Sequence, residues 1–355
     1  MQNTEGGTPA AADRFALPAR FLRGACCIWA FASCFLLLAS CTFAGTVRPT
    51  IKIGLVAPFE GQYRYVGYDV IYAVRLAVRE VNKAGGVGGY SVELVAYDDA
   101  ADPARAIEQA RKLAVDPEVV AAIGHFRQAP TTAAADVYAD AGIPLLSPGV
   151  SDAQAGAMAA EILAYLEEVD VDRTALVTQG GSLGAALRQE AGIEPIVRPD
   201  GAGWLAEVLP ADAVVCDADP VTVGEVAKAL DGSGWAGLFL GGPELAASDF
   251  GAVAGKAAEG ALFVTPWPFP RDVPGSGQFV AAYQAMGPHV EPPGPLALPA
   301  YRAAWHLFAA LEDDIAVNGA PTREGVTVAL GLMQSGEAEL YWYRVGGEGT
   351  FEQVR

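Results

Sequence analysis

The chain has 355 residues, with 42 acidic against 23 basic side chains, a formal net charge of −19 at pH 7 and only three histidines. So acidic a surface repels phosphate backbones, and no basic stripe with interleaved aromatics occurs, which excludes nucleic-acid binding and polybasic docking on anionic lipid. His125, His289 and His306 lack metal-ligand spacing, so neither a metal or other cofactor nor histidine-based catalysis is expected.

The first 45 residues read as a targeting device. Arg14, Arg20 and Arg23 precede an apolar run from about Ala25 to Ala39, which is shorter than the roughly 20 residues that span a bilayer. The run ends in Leu38-Ala39-Ser40-Cys41, which resembles the lipobox of bacterial lipoproteins. That resemblance implies a signal peptide over residues 1–40, acylation of Cys41, a linker over 41–50 and a chain tethered to the outer face of a membrane. A retained signal anchor, or secretory cleavage near Ala44, are the alternatives. Cleavage would leave about 315 residues, past the size at which one core usually keeps growing, so two domains are expected. Four of the five cysteines lie in the signal or at its end, and beyond the acylated Cys41 only Cys216 would remain, in the apolar run Ala213-Val214-Val215-Cys216, where a buried core thiol and no intrachain disulfide are expected.

Short β-rich runs then alternate with Ala-rich amphipathic stretches, the pattern of parallel sheets covered by helices on both faces. Ile51 to Ala57 reads as a first strand, and Val70, Val74, Ala77, Val78 and Val81 recur at helical spacing before the Gly85-Gly86 stop. Ser91 to Tyr97 is a second strand, and Asp102-Pro103 supplies an N-cap and first-turn proline for a helix to about Val115. Val119 to Gly124, a helix from Pro130 to Ala141 and a strand from Ile143 to Ser147 follow. Ser151-Asp152-Ala153-Gln154 is a capping box opening a helix to about Val169. Strands near Ala175 to Thr178, Ile193 to Val197, Ala213 to Asp217 and Gly237 to Gly241 repeat the architecture, and Ala261 to Thr265 adds another. After the proline-rich stretch Pro266 to Pro274 come a strong helix, Leu298 to Val317, and a β-like segment, Glu339 to Val345. Gly85-Gly86-Val87-Gly88-Gly89 ends a helix and precedes a strand, the reverse of a phosphate-binding loop.

Several of these segments, in this order, resemble the type I periplasmic binding proteins, in particular the leucine/isoleucine/valine-binding branch that serves ABC transporters. They are Ile51-Lys52-Ile53-Gly54, the loop from Pro58 to Gly67, Val81-Asn82-Lys83-Ala84-Gly85-Gly86-Val87, and Tyr97-Asp98-Asp99 followed by Asp102-Pro103. Ile123-Gly124-His125, Ala141-Gly142-Ile143-Pro144 and Leu146-Ser147-Pro148-Gly149 continue the series. The resemblance implies an α/β fold of two doubly wound parallel-sheet lobes joined by a hinge. Lobe one would hold 51–150 plus 267–325, and lobe two 151–266 plus 326–355. The chain departs from the family where Ser151 runs almost straight into a helix and where Gly331 to Glu339 is shortened, both near expected crossovers.

The resemblance also implies a site for a small polar ligand such as an amino acid. Donors to its carboxylate would come from Arg127 to Thr131 and from Gly149 to Ser151. Ser151 keeps a hydroxyl where the family has threonine, and is equally readable as the cap of its helix. Gln128 replaces a family serine. Glu244 stands where the family holds the ligand's ammonium, or is an exposed loop acid. Leu183-Gly184 and Ala218 or Asp219 stand where the family has tyrosines. Tyr63 and Tyr65 read as a lid or as solvent-facing aromatics, and Arg127 as an additional anchor for a carboxylate or as half of a surface salt bridge. His125 reads as a structural hydrogen-bonder.

The leading expectation is therefore a capture protein, without chemistry of its own, that passes its ligand to an ABC permease. A sensory receptor of the same fold with a diverged pocket, signalling to a partner, is the second reading. An anchored α/β enzyme is the third, and lacks a Gly-x-Ser-x-Gly elbow, metal cluster or phosphate loop.

Overall fold

The computed structural model describes residues 48–193, 195–197, 203–332 and 339–355. The expected signal peptide, Cys41 and most of the linker lie outside the described residues, as does most of the 331–339 stretch expected to be shortened. In the first lobe β1 (Thr50–Ala57) leads to α1 (Arg64–Ala84), β2 (Ser91–Asp98), α2 (Pro103–Ala114), β3 (Val119–Gly124), α3 (Gln128–Asp140) and β4 (Leu145–Leu146). The strands are parallel in the order β2-β1-β3-β4. Every residue of β3 is buried, as a strand covered on both faces requires. One face packs Ile51, Ile53, Leu55 and Ile123 against α1, and the other packs Val56, Val119 and Ala122 against α2 and α3.

The chain crosses at Ser151. Its hydroxyl accepts the N–H of Gln154 at 3.2 Å while the Gln154 side chain accepts the N–H of Ser151 at 3.0 Å, so the expected capping box forms at the start of α4 (Asp152–Glu168). β5 (Thr174–Thr178), α5 (Ser182–Ala191), β6 (Pro195–Val197), α6 (Trp204–Val208), β7 (Ala213–Asp217), α7 (Pro220–Gly232), β8 (Leu238–Gly241), α8 (Ser248–Ala254) and β9 (Leu262–Thr265) make the second lobe. Cys216 is buried in its core, as expected.

The chain then returns through α9 (Gly277–Gln284) to α10 (Ala297–Asn318), which packs on α1, and to α11 (Arg323–Gly331). β10 (Tyr341–Val345) pairs antiparallel with β9, and β11 (Phe351–Gln353) pairs antiparallel with β10. The second sheet runs β11-β10-β9-β8-β7-β5-β6.

Three differences from the sequence reading stand out. The boundary expected at 325/326 falls inside α11, whose Val326 is buried in the first lobe's core with Ala329 and Leu330 packed beside it. The return to lobe two therefore comes after α11. The strand expected over Ile143 to Ser147 pairs only at Leu145 and Leu146, because the Ser147 hydroxyl turns to the carbonyl of His125 at 2.7 Å and Pro148 follows. The β11 strand, carried by Phe351 stacking on Phe269 with ring centroids 5.0 Å apart, was not expected. By contrast, the Asp102 side chain accepts the N–H of Arg105 at 2.8 Å and Pro103 starts α2, as the sequence indicates. Among the described residues no helix is long and apolar enough to cross a membrane.

Candidate ligand-binding site

In open parallel sheets the loops at the carboxyl ends of the strands face the ligand crevice, because the helix N-termini that follow them converge there. In this chain those loops are the segments after β1 and β3 from the first lobe and after β5, β7 and β8 from the second. They enclose a cleft of about 1780 Å³, beyond the roughly 300–1,000 Å³ of a typical small-molecule pocket, so open groove continues past any one binding site.

The loop after β3 is fixed from below. Gly124 has φ of +130°, and a Cβ there would collide with the carbonyl oxygen of Val56, so only glycine fits. His125 is fully buried, with Nδ1 2.7 Å from Asp99 Oδ2 and Nε2 3.1 Å from the Tyr138 hydroxyl, the structural role expected of it. Its carbonyl accepts the hydroxyls of Thr131 and Ser147, each at 2.7 Å. Two hydroxyls thus hold the backbone that launches Arg127, and Asp99 and Tyr138 hold the imidazole beneath it.

Arg127 reaches the cleft and donates from Nη1 to Glu244 Oε1 at 3.0 Å, an ion pair joining the two lobes. The face of Tyr63 lies against the guanidinium, 3.9 Å from Cζ to the ring centroid. Burial opposes the guanidinium's charge, but Glu244 and the neighbouring tyrosines and Asp217 outweigh it and hold the group protonated. Burial pushes the Glu244 carboxyl up, and Arg127 pulls against that shift. Of the two readings open to each residue, Glu244 is not an exposed loop acid and Arg127 is not in a surface salt bridge: their side chains are 10% and 23% exposed.

Tyr65 and Gln128 also line the cleft, and Gln128 donates to Asp152 Oδ2 at 3.2 Å. Gly149 and Ser151 do not line it, although their neighbours Val150 and Asp152 do. The Ser151 hydroxyl is engaged in its capping box, and Gly149 packs so closely on the backbone of Phe126 that a Cβ has no room. Leu183, where the family has a tyrosine, is a buried part of the cleft wall.

Sequence reasoning missed Asp217. This buried acid ends β7, and its carboxylate accepts the N–H of Gly184 at 2.8 Å, the N–H of Gly181 and the Thr178 hydroxyl at 3.2 Å. Burial raises its pKa, and these donors and Arg127 work the other way. The protein's own carboxylate therefore takes the Gly184 amide of the first turn of α5, while the N–H groups of Ser182 and Leu183 have no partner among the described residues. Asp219 caps α7, accepting the N–H groups of Val221 and Thr222 at 3.0 and 3.1 Å. The signal was an acid at the end of an apolar strand, opposite the glycine-rich Gly180-Gly181-Ser182-Leu183-Gly184.

The α3 N-terminus is open as well. It has no side-chain cap, and the N–H groups of Gln128 and Ala129 have no partner among the described residues. A helix N-terminus left open in this way favours negative charge beside it. Among the described residues no group of His, Cys, Asp or Glu is placed to hold a metal ion.

The model of a family described as periplasmic binding protein matches residues 50–192 and 206–340. The leucine-, isoleucine-, valine-, threonine- and alanine-binding protein of Pseudomonas aeruginosa is 27% identical over 298 residues, covering 74% of this chain and 78% of that protein. The isoleucine-bound substrate-binding protein of a branched-chain amino acid transporter from Streptococcus pneumoniae superposes with a TM-score of 0.72 at 21% identity, over 86% of this chain and 99% of its own. A solute-binding protein of an ABC transporter from R. palustris, in complex with benzoate, gives a TM-score of 0.71 at 19% identity, over 86% and 95%. With the matched segments spanning both lobes, the chain belongs to the periplasmic binding protein family.

Proposed function

We propose that the protein is an extracytoplasmic capture protein that closes its two lobes on a small carboxylate-bearing solute, an amino acid or a relative of one, and delivers it to an ABC permease without chemical change. The observation that carries this reading is the pair of unpartnered amides at the N-terminus of α3, Gln128 and Ala129, lying beside the Arg127 guanidinium in the wall of the interlobe cleft. Open amides beside a guanidinium favour an anionic group and fix its orientation. The relatives' ligands, isoleucine in one complex and benzoate in another, have only the carboxylate in common as a charged group. Gln128, Arg127, Glu244 and Tyr65 are the proposed contacts, with Gly149 and Ser151 shaping the crossover behind them.

The test is mass spectrometry of small molecules released from the purified protein, followed by thermal shift with amino acids and carboxylic acids. A ligand that binds the folded state raises melting by a free energy of RT ln(1 + [L]/Kd). Absence of any co-purified solute together with no shift would remove the capture reading.

Membrane tethering through acylated Cys41 belongs to the same proposal and rests on Leu38-Ala39-Ser40-Cys41. Metabolic labelling with a fatty acid should mark the wild-type chain and not Cys41→Ser. A sensing role is the second reading, favoured by the Arg127–Glu244 pair, which lets the lobes meet without a ligand's ammonium between them.

A further inference from the structure

We infer that the Arg127 guanidinium occupies the place of a ligand ammonium on Glu244, so that the cleft selects carboxylates lacking a charged amine over the corresponding α-amino acids. This rests on the capture reading and narrows it.

Three features of the cleft carry the inference. First, Glu244 already has a cation. Arg127 holds it at 3.0 Å from the opposite lobe, and Tyr63, 3.9 Å away on the guanidinium face, keeps that cation in position. A second cation brought to the same carboxylate would lie within a few ångströms of the first in a partly desolvated space, where like charges repel strongly.

Second, the other acids around the cleft are engaged or exposed. Asp217 is satisfied by Gly184, Gly181 and Thr178. Asp69 accepts the N–H groups of Gly294 and Leu296 at 2.7 and 2.9 Å, and Asp152 accepts from Gln128 and Ser182, each at 3.2 Å. Asp249 pairs with Arg64 at 2.7 Å on the rim, and Glu190, Glu259 and Glu291 are exposed. None is a free, desolvated partner for an ammonium.

Third, donors remain unanswered. The N–H groups of Gln128 and Ala129, the hydroxyls of Tyr63 and Tyr65, and the rest of the Arg127 fork have no partner among the described residues, and Tyr63 is 9% exposed. Phe126 and Leu183, both 4% exposed, add apolar wall. Surplus donors, a buried Glu244 already paired with a cation, and apolar flanks describe a receptor for a carboxylate on an uncharged body.

The experiment uses two matched pairs as probes, L-leucine with 4-methylpentanoate and L-phenylalanine with 3-phenylpropanoate. Each is titrated calorimetrically into protein stripped of co-purified solute. The expected result is that the member without the amine binds at least about tenfold more tightly. Arg127→Gln should lose that binding by about tenfold or more, and Glu244→Gln should not weaken it, since it leaves the guanidinium free of its counter-charge. Equal or tighter binding of the amino acids, abolished by Glu244→Gln, would overturn the inference and leave capture standing. If neither pair binds, the inference falls for these probes' class. Solute released from the unstripped protein then decides capture: an ammonium-bearing compound retains it, and none removes it.

Discussion

The carboxylate of Asp217 and the backbone N–H of Gly184 meet at 2.8 Å, so that a side chain from the end of β7 takes an amide in the first turn of the helix that follows β5. Neither residue tolerates change. Asp217→Asn turns an amide donor toward N–H groups that already donate, and is expected to cost about 1–3 kcal/mol. Gly184→Ala places a Cβ 2.6 Å from Thr178 Oγ1 and 2.8 Å from Asp217 Oδ2, with an overpacking cost of about 1–3 kcal/mol. Urea denaturation of the two variants checks this. A change under about 0.5 kcal/mol in both would mean that α5 does not depend on the contact.

That contact shows why part of the site was illegible in the sequence. Alternating strand and helix periods locate β1 to β3 and the helices between them, and Asp102-Pro103 and Ser151 with Gln154 mark helix starts, because each signal lies within a few residues of chain. Asp217 takes an amide of a helix that starts 35 residues earlier, and Arg127 finds Glu244 117 residues away; only the packed sheets create either contact. The same limit misassigned α11. Its apolar face, Val326 with Ala329 and Leu330, says that a sheet is covered but not which one.

Arg323, the first residue of α11, anchors that helix to the first lobe. Its Nε donates to the Val119 carbonyl at 2.9 Å, Nη1 to Ala141 at 2.9 Å, and Nη2 to Asp116 at 2.7 Å and Ala114 at 3.3 Å. Ala141 caps α3 and Ala114 ends α2, so one planar cation answers the negative ends of two helices. Arg323→Ala should destabilise the protein by about 2–4 kcal/mol, and Arg323→Lys, with a single ammonium, should restore less than half of that. A lysine variant as stable as wild type would show that charge, and not the fork geometry, is what matters.

The buried His125–Asp99 contact carries a heavier penalty when broken on one side. Asp99, 1% exposed, gives Oδ2 to His125 at 2.7 Å and Oδ1 to the N–H of Ala101 at 2.8 Å. His125→Phe removes the first partner and leaves a carboxylate oxygen buried without one, at a cost of about 3–5 kcal/mol. Tyr138→Phe deletes only a hydroxyl 3.1 Å from Nε2 and should cost about 1 kcal/mol. Denaturation midpoints of the two variants should therefore differ clearly. Similar midpoints would mean that Asp99 finds another donor when the imidazole is lost.

Asp69 makes stability depend on pH. Burial pushes its carboxyl from the ordinary aspartate range up to about 7, against the pull of the Gly294, Leu296 and Ala297 N–H groups and the Tyr283 hydroxyl. A folded-state pKa above the unfolded one means that folding takes up a proton between these values. The unfolded state then binds fewer protons, and stability falls as pH rises from about 4 towards 7. Ionised Asp69 thus weighs against the fold at neutral pH even though it ties the Gly294 to Leu296 turn to α1. Asp217 and Glu244, both also raised by burial, add to the effect with the same sign. Unfolding free energy measured from pH 8 to pH 5 should increase on acidification by on the order of 2 kcal/mol. The Asp69→Asn variant, which cannot take up that proton, should follow a flatter curve over the same range. Parallel curves for the two proteins, or a wild type that gains stability with rising pH, would show that Asp69 titrates near its ordinary value.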